Sequence, residues 1–146
     1  MPGVVPDTMA RLPASLREAL GPVGVRDVRF ALALATAIPI GVSVWAVIAP
    51  GARAARWLLL AIWTTLLVNA AWHLAAALVV FRGYAPGVVT GLAVNLPLAV
   101  LVLRQAYQDA WLTTSGGRAL LPAALVLHVA GTVGLLLLGR ALAPRG

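Results

Sequence analysis

The chain has no cysteine and no lysine, and it has very few acidic side chains. The lack of cysteine excludes disulfides, thiolate nucleophiles and thiolate metal sites. Only four acidic residues occur among 146 positions, and none lies between 28 and 108. That long interval therefore has no paired carboxylates. The sequence also contains neither a Ser/His/Asp set nor a phosphate-binding glycine loop, so the common catalytic constellations are missing.

Histidine supplies two potential metal ligands, His73 and His128. Two imidazoles with only oxygen or amide partners make a poor zinc or iron site, so we predict no metal and no cofactor. The formal net charge is +7, but the arginines stand singly near the ends of apolar segments. This distribution is typical of anchors at an anionic membrane surface, and we predict the lipid bilayer, not nucleic acid, as the partner.

Hydrophobic residues make up 62% of the chain. Four apolar segments reach the roughly 20 residues that a membrane-spanning helix needs. They run over about 30–49, 57–81, 87–103 and 119–142, after an amphipathic stretch at about 7–20. The predicted fold is a single all-α membrane domain over residues 1–146. It is an up-and-down bundle of four transmembrane helices preceded by a short interfacial amphipathic helix.

The arginine distribution also predicts an orientation. With four spans, the N-terminal segment, the 81–86 turn and the C-terminus share one side of the membrane and carry seven arginines. The opposite loops carry four. Since cytoplasmic loops are enriched in arginine, we predict a multi-pass protein of the cell membrane with both termini in the cytoplasm.

A polar cluster is predicted inside the membrane. Asn69 and His73 lie one turn apart on one face of the second span, together with Thr65. Counting the helical rise from the ends of the spans places Asn69 level with His128 and His73 level with Asn95. Two interpretations stay open. In the first the cluster is a site in which a neutral imidazole passes a proton, binds a metal or orients a substrate oxygen. In the second the side chains only hydrogen-bond a neighbouring helix and hold the bundle together.

Glycine and arginine mark two further features. Gly87-x-x-x-Gly91 indicates close helix packing, and Gly131 and Gly134 also let a helix approach. A homo-oligomer through such glycine-containing faces is an additional expectation. Beside Arg82, the amides of residues 87–89 at the start of the third span are either an anionic headgroup site or part of an interfacial turn.

Three segments carry a family resemblance: Asn69-Ala-Ala-Trp-His73, Arg82-Gly-Tyr-Ala-Pro-Gly-Val-Val-Thr90 and Asn95-Leu-Pro97. Over roughly residues 60–105 they resemble the later half of HXXEE-domain membrane proteins. The resemblance implies a small, mainly bacterial, multi-span protein. The family pattern carried over residue by residue gives Asn69, His73, Tyr84, Pro86, Gly87 and Thr90. The His-x-x-Glu-Glu motif itself is absent, so either the chain begins after the helix that bears it or it is a diverged member.

Two functions are consistent with this sequence. The first is an enzyme or binder of an apolar, lipid-like substrate that uses the intramembrane Asn/His cluster. The residues assigned to catalysis are His73 and Asn69, and those assigned to substrate binding are Asn95, His128, Tyr84, Thr90 and Arg82. The alternative is a non-catalytic accessory subunit or small carrier in which the polar residues only pack helices together.

Overall fold

The computed structural model describes residues 10–11, 14–85 and 87–142, and these residues form helices joined by short turns, with no strand. The helices are α1 (Ala14–Leu20), α2 (Val25–Ile48), α3 (Arg53–Val80), α4 (Val88–Gln108) and α5 (Thr114–Leu142). Within this described part of the chain, α2 to α5 are long and apolar enough to cross a membrane. The predicted all-α membrane fold with four spans is confirmed.

The helices extend beyond the predicted apolar segments. The predicted span at 57–81 begins four residues earlier, at Arg53, and the one at 119–142 begins at Thr114. Residues 53–56 are arginine and alanine, which are good helix formers and extend α3. At the start of α5 the Thr113 hydroxyl accepts the N–H of Gly116 at 3.1 Å and caps the helix. Helix α1 covers the later part of the predicted interfacial helix at 7–20, whereas residues 7–9 and 12–13 of that prediction lie outside the described residues. Its position on the membrane surface stays a prediction.

The chain divides into two compact units, and the first contains the described residues of Met1–Ile38 and Ala130–Gly146. In this unit α5 crosses α2 at Gly139. A Cβ on Gly139 would lie 2.7 Å from the backbone oxygen of Asp27 and 3.3 Å from the nitrogen of Ala31. The Asp27 carboxylate accepts the backbone N–H of Gly24 at 2.8 Å and so caps the start of α2.

The second unit, Pro39–Val129, contains the pair formed by α3 and α4. Gly91 of α4 lies against Ala70 of α3, while the core near the other end of the pair joins Leu60 to Ala106 and Leu120. These contacts make α3 and α4 antiparallel. Most residues buried in this unit are alanines: Ala46, Ala55, Ala70, Ala77, Ala85, Ala99, Ala106 and Ala124. Small residues allow helices in a membrane to pack closely, and the large apolar side chains remain on the exposed surface for lipid contact.

Two π-helical turns interrupt the regular α-helix of this pair. One, Ala76–Val80, ends α3, and the other, Gly91–Asn95, lies just before Pro97 in α4. Proline has no N–H and its ring crowds the carbonyl four residues earlier, so a local departure from the α-helical hydrogen-bond pattern is expected there. The first π turn begins within two helical turns of His73 in α3, and the second begins within two helical turns of Gly87 at the start of α4.

Candidate functional site

The imidazole of His73 packs directly on the backbone of Gly87. A Cβ on Gly87 would lie 2.6 Å from Cε1 and 2.8 Å from Nε2 of His73, so no other residue type fits without movement. Gly87 also has a φ of +85°, a left-handed conformation that side chains other than glycine rarely adopt. Both steric space and backbone conformation therefore require glycine beneath the histidine ring.

The turn between α3 and α4 explains how His73 meets Gly87. Arg82 has a φ of +49°, the left-handed conformation that commonly terminates helices. The N–H of Gly83 then donates to the carbonyl of Ala77 at 2.9 Å and closes the last turn of α3. A segment of six residues reaches up to about 20 Å when extended, enough to run back past two helical turns. Helix α4 consequently begins beside His73, well below the end of α3.

The same helix crossing continues one turn further at Gly91. A Cβ there would lie 3.3 Å from Cα of Ala70 and 3.8 Å from Cβ of His73. Gly91 is buried, and Ala70 is almost completely buried. The predicted close-packing role of Gly87-x-x-x-Gly91 is therefore confirmed within this unit. It brings α4 against α3 at Ala70 and His73.

His128 of α5 lies beside this crossing. Its ring centroid is 6.2 Å from the ring of Trp72, with an angle of 56° between the ring planes. Because Trp72 directly precedes His73 in α3, this contact places His128 on the same stretch of α3 as His73. Both side chains are half-buried. An imidazole donates and accepts hydrogen bonds, so two of them together can bind a ligand oxygen or exchange a proton.

An apolar cleft of about 240 Å³ lies on the face of α3 that carries Trp72. It is lined by Trp72, Ala75, Ala76, Val79 and Val80, all on the last turns of α3. The Trp72 side chain is 63% exposed, so much of its surface remains accessible although its ring lies near that of His128. The cleft is smaller than the 300–1,000 Å³ typical of pockets for whole small molecules, and suits a chain-like apolar segment.

The structure brings together some of the predicted site residues and separates others. His73 lies level with Gly87, so the depth calculation that placed it level with Asn95 is wrong. His73 and Asn95 would be level if the end of α3 and the start of α4 lay at the same height. Helix α4 instead begins lower, beside His73. Asn95 lies two helical turns beyond Gly87 and is half-buried. Asn69 keeps its place one turn before His73 and is also half-buried.

The remaining predicted residues have accessible side chains. Tyr84 is 70% exposed, and Arg82 and Thr90 are exposed as well. Pro86 lies outside the described residues. Thr65, predicted to share the polar face, donates its hydroxyl to the carbonyl of Ala61 at 2.8 Å. Its polar group is therefore satisfied within its own helix, and the polar cluster is centred on the two histidines.

The sequence did not predict that Gly87 contacts the imidazole ring of His73. The glycine, the following helix and the histidine were each recognised, but their contact depends on the path of the turn. The Gly-x-x-x-Gly spacing was the one usable signal, because it marks a surface on which another helix packs. Among the described residues, no three His, Cys, Asp or Glu side chains form a group that could hold a metal ion.

Comparison with known proteins gives one match. A family model described as "Protein of unknown function with HXXEE motif" matches residues 4–102, which is more than half of the chain. The match includes α2 and most of α4, and therefore extends well beyond the segment at 60–105 that carries the resemblance. No curated protein and no solved structure matches the chain.

Proposed function

The chain belongs to the HXXEE family of membrane proteins, and we propose that it binds an apolar, lipid-like ligand at the two histidines. In this proposal His73 and His128 bind the polar end of the ligand, and the cleft beside Trp72 holds part of its apolar chain. Asn69, one turn from His73, orients the polar end. The observation that carries the proposal is that Trp72 lines the apolar cleft, contacts the ring of His128 and directly precedes His73 on a membrane-spanning helix.

Two physical arguments support a binding role. Polar side chains within spanning segments are expensive and usually mark a functional site. Gly87 also fixes the imidazole of His73 from one side, and preorganised groups bind with less loss of conformational entropy. A proton-transfer reaction at the same imidazole is compatible with this arrangement and would make the protein an enzyme.

A second function is favoured by the same contact. The ring of His73 fills the space above Gly87, where no Cβ fits, and so contributes to packing. Under this alternative the protein is a non-catalytic accessory subunit or small carrier, and the histidines stabilise the helix pair. The two functions differ in what a substitution of His73 removes: ligand in the first case, stability alone in the second.

Photo-crosslinking tests the binding proposal. The purified protein is illuminated with a fatty-acyl probe that carries a diazirine on its chain, and labelled peptides are mapped. We expect labelling concentrated at the cleft residues Ala75 to Val80 and lost in His73→Gln. Val47 and Ile48, which are 78% and 75% exposed, provide the reference for ordinary lipid contact. Labelling of the cleft at the same level as Val47 and Ile48, unchanged by the substitution, contradicts the proposal.

We also propose that the protein resides in the cell membrane with both termini in the cytoplasm. The support is the excess of arginine on the predicted terminal side, seven against four. Reporter fusions after Arg53, Arg82, Gly116 and the C-terminus test the orientation. The expected result is an external reporter at Arg53 and at Gly116, with cytoplasmic reporters at Arg82 and the C-terminus. An external C-terminus would show that the orientation is wrong.

A further inference from the structure

A second cleft, of about 360 Å³, lies where α3 begins and α4 ends. Its walls include two arginines, Arg53 and Arg56, two tryptophans, Trp57 and Trp111, and Asp109. Arg53 and His73 are both on α3, and twenty residues of helix correspond to about 30 Å. The cleft is therefore independent of the histidine site and of the ligand proposed there.

Arg56 is held in place by two contacts. Its Nε donates to the carbonyl of Pro50 at 2.6 Å, and its guanidinium carbon lies 4.5 Å from the centroid of the Trp111 ring. The first contact uses one of the five N–H donors of arginine and leaves the four on its terminal nitrogens. A guanidinium stacked on an aromatic ring is a common arrangement for binding phosphate, because the stacking fixes its plane.

Trp111 is in turn fixed by the turn that follows α4. Ala110 adopts a φ of +56°, which reverses the chain, and the N–H of Trp111 donates to the carbonyl of Ala106 at 2.8 Å. The Trp111 side chain then packs on the core formed by Leu60, Ala106 and Leu120. Left-handed backbone at a residue other than glycine is unfavourable, and such strain is often found at ligand-binding positions. The turn and the core packing therefore hold Trp111 beneath Arg56.

The charges of the cleft favour an anion. Among the described residues, neither Arg53 nor Arg56 forms an ion pair, and the first turn of α3 contains no acidic residue. Asp109 is the acidic residue of the lining, and its Oδ1 accepts a hydrogen bond from Nε2 of Gln105 at 3.0 Å. Two arginines and one aspartate give the lining of the cleft a net charge of +1. A ligand with one negative charge balances it.

The tryptophans indicate the depth of the cleft. Trp57 lies one turn into α3, and Trp111 lies just after the end of α4, so both are at the same end of the antiparallel pair. Tryptophan is enriched where a membrane meets water, at the level of lipid headgroups. A phosphate group is the anion present at that level in every phospholipid membrane.

We propose that this cleft binds a singly charged phosphate ester through the guanidinium groups of Arg53 and Arg56. The phosphate belongs either to the headgroup of an anionic phospholipid or to a soluble phosphate compound. In both cases Trp57 and Trp111 pack against the group attached to the phosphate, and Asp109 limits the ligand to one negative charge.

Native mass spectrometry of lipid retention tests this site. The purified protein in neutral detergent receives equal amounts of phosphatidylglycerol, which is anionic, and phosphatidylcholine, which is zwitterionic. We expect the wild type to retain phosphatidylglycerol preferentially. Arg53→Gln and Arg56→Gln each remove charged hydrogen bonds and should lower this retention roughly tenfold. Arg104→Gln, an exposed arginine outside the cleft, makes the same change of charge and should leave retention unchanged.

Two further observations complete the test. Because Arg56 contacts Pro50 and Trp111, its substitution can disturb folding, and the exposed Arg53 therefore provides the decisive variant. Inorganic phosphate added to the wild type distinguishes the two sources: displacement of phosphatidylglycerol indicates a soluble phosphate ligand, and no displacement indicates a lipid headgroup. Equal retention of the two lipids by the wild type overturns the proposal. Equal loss of phosphatidylglycerol in Arg53→Gln and Arg104→Gln also overturns it.

Discussion

Two very close glycine contacts, Gly139 in the first compact unit and Gly87 in the second, bring glycine against different kinds of group. In the first unit Gly139 of α5 lies against the backbone of α2 at Asp27 and Ala31. In the second unit Gly87 lies against the imidazole ring of His73. The first contact brings two helices together, whereas the second places the imidazole ring of His73 against the backbone of Gly87.

This difference separates structural from functional use of glycine. Helix packing in membranes often uses small residues, and Gly139 and Gly91 fit that role completely. A histidine is not needed for it, since alanine or leucine side chains pack against glycine at lower desolvation cost. The presence of an imidazole at Gly87, one residue after a tryptophan whose ring lies 6.2 Å from that of His128, therefore favours a functional site. Substitutions at the glycines test whether the two contacts are as different as they look.

The largest effect is expected from Gly87→Ala. The left-handed backbone and the clash with the His73 ring together should lower the free energy of unfolding by about 2–4 kcal/mol. Thermal or denaturant unfolding in detergent measures the change. Truncating the ring in the double variant Gly87→Ala/His73→Ala should recover the part due to the clash and leave the part due to backbone conformation. If the two substitutions were simply additive, the ring would not be in contact with Gly87.

A smaller loss is expected from Gly139→Ala. The new Cβ would meet the backbone of α2 at 2.7 Å, and separating the two helices should lower the free energy of unfolding by about 1–3 kcal/mol. The same unfolding measurement applies. Because the opposing atoms belong to the backbone, truncation of Asp27 to alanine should not relieve the clash. Rescue by that truncation would mean that the side chain, and not the backbone, limits the approach.

The sequence predicted the helices of this protein better than their contacts. Hydropathy identified all four spans because about 20 consecutive apolar residues have few alternatives to a membrane helix. The position of His73 opposite Gly87 depends instead on the turn at Arg82 and Gly83, whose backbone conformation is not encoded in hydropathy. The π turns at Ala76–Val80 and Gly91–Asn95 could not be predicted from the sequence either, since each changes the apolar periodicity over a single turn.

The smallest effects are expected at Gly131 and Gly134, which the sequence also marked as close-packing positions. Among the described residues, a Cβ at either position would meet nothing within 4 Å. Alanine at either site should therefore leave stability unchanged or raise it by about 0.5–1 kcal/mol, because alanine favours helix more than glycine does. Unfolding measurements check this, and crosslinking checks the predicted homo-oligomer. A clear loss of stability together with a lower oligomer fraction would assign this face to an interface between copies.

The proposal that the histidine pair binds a lipid-like ligand is tested most directly by comparing His73→Gln with the wild type in two measurements on one preparation. Ligand retained at the histidine site is quantified as crosslinking of the fatty-acyl diazirine probe to Ala75 to Val80, and the apparent melting temperature without the probe is recorded alongside. Glutamine keeps hydrogen-bonding capacity but has no ring and no titratable nitrogen. We predict that the retained ligand is lost while the melting temperature stays close to that of the wild type. Full retention of the ligand with a lowered melting temperature would contradict the binding function and assign His73 to packing.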